Sequence, residues 1–211
     1  MIDVPYIYKM IKVFPPEEDE YISTCALQGR IWDAWMLPWL AHASKRPGAF
    51  IDVGANIGLD TVLFSCFAKV HAFEPVHADI LRENVFGCIN PVTVHDCALS
   101  DHEGTAEISL YPGKNAGAHS LVVKHEGGDS KQVQLRRLDD VITEPISFLK
   151  VDVEGHEMEV LEGARKLIEQ YHPVMCVETF NHAKELEEFG KQYGYSMIPV
   201  VEDNYMLLKV Q

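Results

Sequence analysis

Short apolar runs alternate with longer amphipathic segments from Ala49 to the end of the chain, and this alternation restricts the fold more than any other feature. The first run, AFIDV (Ala49–Val53), is nearly all apolar and ends at a glycine, as expected of a strand buried on both faces. Alternating strands and helices are typical of an α/β domain with a mainly parallel sheet. The predicted sheet strands are AFIDV, KVHAFE (Lys69–Glu74), TVHDCAL (Thr93–Leu99), ISFLKVDV (Ile146–Val153), PVMCVETF (173–180) and two strands within YSMIPVVEDNYMLLKV.

The segments between these strands have apolar residues at helical spacing and are predicted to be helices. They are LDTVLFSCFA, His77 to Phe86, EMEVLEGARKLIEQY and HAKELEEFGKQYG. Two segments fall outside the pattern. Residues 1–47 are predicted to form an N-terminal, partly helical extension that caps the domain. Residues from about 100 to 145 read as an insertion, in which two strands, TAEISLY and KQVQLRRL, flank a Gly-rich link. We therefore predict one domain over 48–211 with an N-terminal helical cap and an insertion.

The composition limits the classes of partner. A formal charge of −14 argues against a nucleic-acid footprint, which needs a basic patch. No apolar run reaches the roughly 20 residues of a membrane span, and the N-terminus lacks a signal-peptide pattern. Five cysteines without a CxxC pair indicate reduced, buried thiols rather than a metal site. The expectation is a cytoplasmic protein that binds no nucleic acid, no membrane and no metal.

The stretch FIDVGANIGLDT (50–61) places a glycine loop after the first predicted strand. A dinucleotide site would have GxGxxG there, but the loop reads Gly54-Ala55-Asn56-Ile57-Gly58. Asp52, just upstream, would oppose a pyrophosphate and suit an ammonium or sulfonium group. Glu74 ends the next strand, where a carboxylate can bind both ribose hydroxyls. This chemistry matches S-adenosylmethionine better than NAD; the alternative is a glycine loop that only closes a tight turn.

Five segments in order, FIDVGANIG, AFEP, LRENVFGCIN, ALSDHEG and FLKVDVEGHEMEVLEGA, resemble the FkbM family of S-adenosylmethionine-dependent O-methyltransferases. The resemblance covers about 48–177. It implies the class I methyltransferase fold, a Rossmann-like, seven-stranded, mostly parallel sheet with a C-terminal antiparallel hairpin. It also implies an acceptor hydroxyl on a sugar, a glycan or a secondary metabolite, without choosing between them.

The resemblance also implies roles for single residues. The methionine end of the cofactor would lie against Asp52 and the loop residues Gly54, Ala55, Asn56 and Gly58. Glu74 and the following Pro75 would hold the ribose, and the segment Asp96, Cys97 and Ala98 would flank the adenine. Asp152 ends a strand at the same edge of the sheet. For Asp96, a solvated loop position is an equally good interpretation.

The segment VDVEGHE carries the candidate catalytic residues, Glu154 and His156. The acceptor hydroxyl must lose a proton, and a histidine titrates near neutrality. Glu154 could orient His156, act as the base itself or hold a substrate hydroxyl. The alternative is that both residues cap the next helix. In the insertion, Lys114, Asn115, His119 and Ser120 could line an acceptor pocket, or simply be solvated.

Three other interpretations remain open at this stage. A methyltransferase-like protein could have kept the fold and lost catalysis. A nucleotide-dependent oxidoreductase is disfavoured by the missing glycine and by the absence of a Tyr-x-x-x-Lys pair near the fourth strand. A metal-assisted enzyme would use Asp152 and Glu154 as oxygen ligands for magnesium. Trp32, Trp35 and Trp39 form an apolar stripe that would bury the extension against the domain, or against a second subunit in a homo-oligomer.

Overall fold

A computed structural model of the chain describes residues 1–210. It contains a seven-stranded sheet, a three-stranded sheet and an N-terminal hairpin. The strands are β1 (Ile2–Tyr6), β2 (Lys9–Val13), β3 (Ala49–Val53), β4 (Val70–Phe73), β5 (Val92–His95), β6 (Ala98–Leu99), β7 (Gly104–Ser109), β8 (Ser130–Arg136), β9 (Ile146–Val151), β10 (Val174–Glu178), β11 (Tyr195–Pro199) and β12 (Asn204–Lys209). The helices are α1 (Ile22–Leu27), α2 (Leu37–Ala43), α3 (Leu59–Phe64), α4 (Ala78–Val85), α5 (Leu138–Val141), α6 (Glu157–Glu162), α7 (Arg165–Tyr171) and α8 (Ala183–Gln192), with a short 3-10 helix at Ala34–Met36.

The large sheet has the strand order β11-β12-β10-β9-β3-β4-β5. β3 lies at its centre, parallel to β9 on one side and to β4 on the other. Every residue of β3, β4 and β9 is buried, which explains their nearly continuous apolar sequences. β12 runs antiparallel to both of its neighbours, β10 and β11. The predicted fold class, including the C-terminal antiparallel hairpin, is confirmed.

The insertion forms a small sheet of its own. β7 and β8 pair antiparallel over the whole of Gly104–Ser109, and β6 pairs with β8 in parallel. The predicted third strand, Thr93–Leu99, is therefore split: its first part is β5 of the large sheet, and its end, Ala98–Leu99, belongs to the insertion sheet. Part of the Gly-rich link between β7 and β8, residues 115–121, lies beside the carboxyl edge of the large sheet.

The N-terminal extension, predicted to be partly helical over 1–47, contains a β-hairpin that the sequence did not predict. Its first part is a β-hairpin, β1 paired with β2, and helices begin only at Ile22. Alternate residues of the hairpin, such as Val4 and Ile11, are buried in one apolar cluster with Ile57 and Leu81 of the domain. The strand pattern is weak in the sequence because each of the two strands has only five residues.

The helix predicted over EMEVLEGARKLIEQY is two helices, α6 and α7, which separate at Gly163 and Ala164. The carboxylate of Asp139 accepts hydrogen bonds from the backbone N–H groups of Lys166 and Leu167, both at 3.1 Å. These are first-turn donors that a helix leaves unsatisfied. A side chain distant in sequence therefore starts the second helix.

Within residues 1–210, no helix is both long enough and apolar enough to cross a membrane.

Candidate functional site

A cavity of about 300 Å³ lies where β3, β4, β9 and β10 end. This is the edge at which parallel α/β sheets bind ligands, and the volume lies at the lower end of the usual range for ligand pockets. All of the predicted site residues except Asp96 line it. Those lining residues are Asp52, Gly54, Ala55, Asn56, Gly58, Glu74, Pro75, Cys97, Ala98, Asp152, Glu154 and His156.

Asp96 is the predicted site residue that lies outside the cavity. Its side chain is half exposed, and one of its oxygens is 3.4 Å from Nη2 of Arg82. The solvated interpretation of Asp96 therefore fits its position better than contact with an adenine. The two residues that follow, Cys97 and Ala98, are buried and line the cavity.

The glycine loop turns sharply back over the end of β3. Gly54 and Gly58 have φ angles of 84° and 93°, and Asn56 adopts a left-handed conformation at 49°. The backbone N–H groups of Gly54 and Ala55 both donate to the carbonyl of Phe73, at 3.0 and 3.1 Å. The loop is thereby fastened to β4, and these two donors are already used within the protein.

Glu74 is buried and fixed by the backbone around it. Its Oε2 accepts a hydrogen bond from the N–H of Asn56 at 2.9 Å, and its Oε1 accepts from Val76 at 2.6 Å and from His77 at 2.9 Å. One carboxylate thus joins the glycine loop to the segment after β4. Because a carboxylate offers about four acceptor positions, Glu74 keeps capacity for a ligand hydroxyl.

Asp52 lies at the end of β3 and is completely buried. Burial raises the pKa of Asp52 to about 6, although the nearby Lys150 and the Thr61 hydroxyl favour the ionised form. Thr61 donates a hydrogen bond to Oδ2, whereas Oδ1 has no partner among residues 1–210. A buried carboxylate oxygen left in this way favours a ligand that donates hydrogen bonds or carries positive charge.

Lys150, on β9, is a buried cation between two carboxylates. Its Nζ lies 2.9 Å from Oδ2 of Asp152 and 3.2 Å from Oδ2 of Asp60. Burial would lower the pKa of Lys150, but the charges of Asp152 and Asp60 hold it well above its usual value. Lys150 is therefore a permanent cation on the cavity wall.

Glu154 combines an unusual backbone conformation with a shifted pKa. Its φ of 55° is left-handed, and Gly155 continues the turn. The Ser120 hydroxyl of the insertion donates to the carbonyl of Glu154 at 2.7 Å. Burial, followed by the charges of Asp152 and Glu157, raises the pKa of Glu154 to about 7. A strained residue with a pKa near neutrality is typical of a catalytic acid or base.

His156 occupies the N-cap position of α6, but its side chain makes no cap hydrogen bond within the described residues. Instead, Nε2 lies 3.1 Å from Oγ of Ser100, and Nδ1 lies 3.6 Å from a carboxylate oxygen of Glu159. Burial lowers the pKa of His156. His156 therefore occupies the position at which α6 begins, but its ring does not cap the helix.

Two segments outside the large sheet close the cavity. The extension contributes Tyr21, Ile22 and Trp32, and the insertion contributes residues 115–117, 119 and 121. They meet at Glu20, whose N–H donates to the Lys114 carbonyl at 2.9 Å and whose carboxylate pairs with the Lys114 ammonium at 2.7 Å. Of the four insertion residues named from the sequence, Asn115 and His119 line the cavity, whereas Lys114 makes this bridge and Ser120 binds Glu154.

Asp60, Lys150, Glu178 and Trp32 are among the cavity-lining residues that were not predicted from the sequence as site residues. A signal was available for Lys150, because a lysine within an apolar strand must find a buried counter-charge. Glu178, at the end of β10, has its pKa raised to about 8 by burial and by the charge of Asp152. The tryptophans pack within the chain: Trp32 packs in the apolar cluster of the hairpin, and Trp35 and Trp39, the latter on α2, pack in a cluster with residues of the large sheet.

The described residues, 1–210, contain no group of three or more His, Cys, Asp or Glu side chains placed to hold a metal ion.

The sequence profile of the methyltransferase FkbM domain matches residues 52–197, from the end of β3 to β11. The chain belongs to the FkbM methyltransferase family. This confirms the resemblance seen in DVGANIG and KVDVEGHE and places the chain among the S-adenosylmethionine-dependent methyltransferases. The predicted cofactor, S-adenosylmethionine, is confirmed with it.

Curated relatives of FkbM type cover much of the chain. Methyltransferase sdnD of Sordaria araneosa is 34% identical over 59% of the chain and 62% of its own length. The 31-O-demethyl-FK506 methyltransferase FkbM of Streptomyces tacrolimicus is 30% identical over 64% of the chain and 70% of its own length. The hexuronic acid methyltransferase AglP of Haloferax volcanii is 33% identical over 64% of the chain. The chain spans 62% of sdnD and 58% of AglP.

The crystal structure of methyltransferase FkbM from Methylobacillus flagellatus KT shares the fold. It superposes with a TM-score of 0.53 at 19% identity and covers 76% of this chain and 43% of that protein.

Proposed function

We propose that the protein is an O-methyltransferase that moves a methyl group from S-adenosylmethionine to a hydroxyl of a sugar, a glycan or a secondary metabolite. The observation that carries this proposal is the convergence of Asp52, Glu74 and Glu154 on one cavity at the carboxyl edge of the sheet. The first two suit the cofactor, and the third suits an acceptor that must lose a proton.

The residues present fit the cofactor. The free Oδ1 of Asp52 and the buried side-chain amide of Asn56 lack partners among residues 1–210, so they offer the polar contacts that an amino-acid end requires. In this proposal Glu74 binds the two ribose hydroxyls, and Cys97 and Ala98 lie against the adenine ring; all three line the cavity. When bound, the cofactor supplies an electrophilic methyl group on a sulfonium. The carboxylates around it favour that positive charge.

Glu154 is the general base in this proposal. A base works best when its pKa lies near the working pH, and the pKa of Glu154, about 7, meets this condition. His156 is a weaker candidate, because burial lowers its pKa and its ring is already held by Ser100. We assign His156 to positioning the turn at Gly155, before α6.

The acceptor class is supported by relatives and by the walls of the cavity. Two relatives are named for a demethyl-FK506 and for a hexuronic acid as acceptors. In this chain, Tyr21 and Phe180 are exposed and line the cavity, and they present aromatic faces to solvent.

The insertion excludes water from the reaction in this proposal. Its Lys114 pairs with Glu20 of the extension, and its Ser120 hydroxyl donates to the carbonyl of Glu154, the proposed base. Opening of this segment would admit the acceptor, and closure would complete the site. The pair is exposed, so breaking it costs little.

Calorimetric titration of the purified chain with S-adenosylhomocysteine, with NAD as the control ligand, tests the cofactor. We expect micromolar binding of the first and none of the second. Binding of NAD alone would instead favour the nucleotide-dependent oxidoreductase.

Catalysis is tested by screening hydroxylated acceptors for S-adenosylhomocysteine formation, with and without a chelator. Glu154→Gln should lower turnover at least about 100-fold while leaving the affinity for S-adenosylhomocysteine unchanged. Loss of both would indicate a structural role for Glu154, and binding without turnover of any acceptor would favour an inactive, cofactor-binding protein. Loss of activity on chelation would favour the magnesium-assisted alternative.

A further inference from the structure

A buried ion triad, formed by Asp60, Lys150 and Asp152, lies on the cavity wall beside the glycine loop. Lys150 is 3% exposed and Asp60 is 6% exposed. The register of β3 and β9 sets Lys150 directly opposite Asp52. The triad therefore adjoins the part of the site assigned to the methionine end of the cofactor.

One polar atom of the triad, Oδ1 of Asp60, is left without a partner within the described chain. Oδ2 of Asp60 pairs with Lys150, but Oδ1 of Asp60 is buried and has no hydrogen-bond partner within the described chain. Lys150 has three N–H donors, and its two carboxylate neighbours lie at 2.9 and 3.2 Å. A buried oxygen without a partner costs free energy, and a ligand that donates to it would recover that cost.

The glycine loop has few donors left for a ligand carboxylate. The N–H groups of Gly54 and Ala55 bind the Phe73 carbonyl, that of Asn56 binds Glu74, and that of Gly58 binds the Ala55 carbonyl at 2.8 Å. Among the cavity-lining residues of the described chain, Lys150 is the only lysine or arginine. A carboxylate in this part of the cavity has Lys150 as its natural cationic partner.

We propose that Lys150 and Asp60 bind the α-amino-acid end of the cofactor. Lys150 donates to its carboxylate, and Oδ1 of Asp60 accepts from its ammonium group. The ligand bears these opposite charges on one carbon atom, and the protein offers opposite charges 3.2 Å apart. This inference rests on the proposed function, and it adds two residues to the glycine loop and Asp52.

The test compares two ligands on the full chain by calorimetry. S-adenosylhomocysteine carries the amino-acid end, whereas 5′-methylthioadenosine keeps the adenosine and the thioether sulfur without it. For the unmodified protein we expect tighter binding of S-adenosylhomocysteine. Lys150→Met and Asp60→Asn should each weaken that binding at least about tenfold and change binding of 5′-methylthioadenosine less than about twofold.

Two further variants make the result decisive. Lys150→Met with Asp60→Asn removes one charge of each sign, so it tests the pair even if a single variant leaves an uncompensated buried charge and unfolds. Lys69→Met removes a lysine paired with Glu144 at the opposite end of β4 and should leave both affinities unchanged.

The possible results separate the two proposals. Equal loss of affinity for both ligands would make the triad a structural element, and unchanged affinity for S-adenosylhomocysteine would also overturn the inference. Equal binding of the two ligands by the unmodified protein would show that the amino-acid end is not held. Binding of neither ligand by the unmodified, folded protein would overturn the proposed function itself.

Discussion

Gly54 stands where β3 ends and the cavity begins, and its backbone lies against the next strand. A methyl group built on its α-carbon would lie 1.8 Å from the carbonyl oxygen of Asp152, and its φ of +84° is one that side chains disfavour. The same crowding keeps the glycine loop against the end of β9, so the two acidic segments of the site share one wall.

The substitution Gly54→Ala should therefore lower the free energy of unfolding by about 3 kcal/mol or more, from backbone strain and overpacking together. Urea denaturation measures it. Gly127→Ala is the matched control, because its φ is +75° and no heavy atom of the described chain lies within 4 Å of the added methyl. The control should cost only about 1 kcal/mol. Equal losses of stability in the two variants would show that the Asp152 backbone moves away from the added methyl group.

At the scale of elements, Asn84 joins the N-terminal hairpin, α4 and the glycine loop. It is 1% exposed. Its Oδ1 accepts from the N–H of Lys12 at 2.6 Å, and its Nδ2 donates to the carbonyls of Lys12 and Ile57 at 2.9 and 2.7 Å. One amide thus completes the edge of β2 and anchors the loop that faces the cavity.

Asn84→Ala should cost about 3 kcal/mol of stability, because one buried and two partly buried hydrogen bonds to backbone groups are lost. It should also weaken binding of S-adenosylhomocysteine, since Ile57 lies within the loop. Thermal unfolding and calorimetry measure the two effects. Asn90→Ala, which removes one partly buried side-chain bond to the Ser65 carbonyl, should cost about 1 kcal/mol and spare binding. Equal effects of the two variants on stability and on binding would show that Asn84 does not couple the hairpin to the glycine loop.

At the scale of the molecule, the site concentrates carboxylates that are protonated more readily than usual. Burial is the main cause, and it raises the pKa of Asp52 to about 6, of Glu154 to about 7 and of Glu178 to about 8. Two half-buried histidines shift the other way: partial burial lowers the pKa of His95 and that of His119 to about 4. Because an unfolded histidine titrates near 6.5, these histidines affect stability only below that pH.

Between pH 6.5 and 8, the folded protein holds protons on Glu154 and Glu178 that the unfolded chain has lost. Stability must then fall as pH rises, by about 1 kcal/mol after allowance for solvent screening. Urea denaturation at pH 6.5 and 8, without ligand, measures the change. Glu154→Gln combined with Glu178→Gln should flatten the dependence. A stability that rises over this interval would contradict the assigned pKa shifts.

The sequence determined the features that depend on local pattern. Continuous apolar runs such as Ala49–Val53 predicted buried parallel strands, because a strand covered on both faces has no polar face. The acid–glycine spacing from Asp52 to Gly58 and the acid at Glu74 predicted the cofactor, since strands of one parallel sheet end at one edge. The segment VDVEGHE predicted Glu154 as a site residue, because it follows another strand that ends at the same edge.

Tertiary structure decided what depends on partners distant along the chain. The hairpin at Ile2–Val13 forms because its alternate residues find a core in the domain, and α7 begins where Asp139 caps it. The pairing of Lys150 with Asp60 at 3.2 Å exists only once β9 and α3 pack together, so the sequence did not predict it. Asp96, close to the cavity in sequence, lies beside Arg82 instead. Local pattern predicted the strands of the large sheet and the edge at which they end, whereas the hairpin, the helix boundary, the charge pairs and the burial depend on neighbours that only folding brings together.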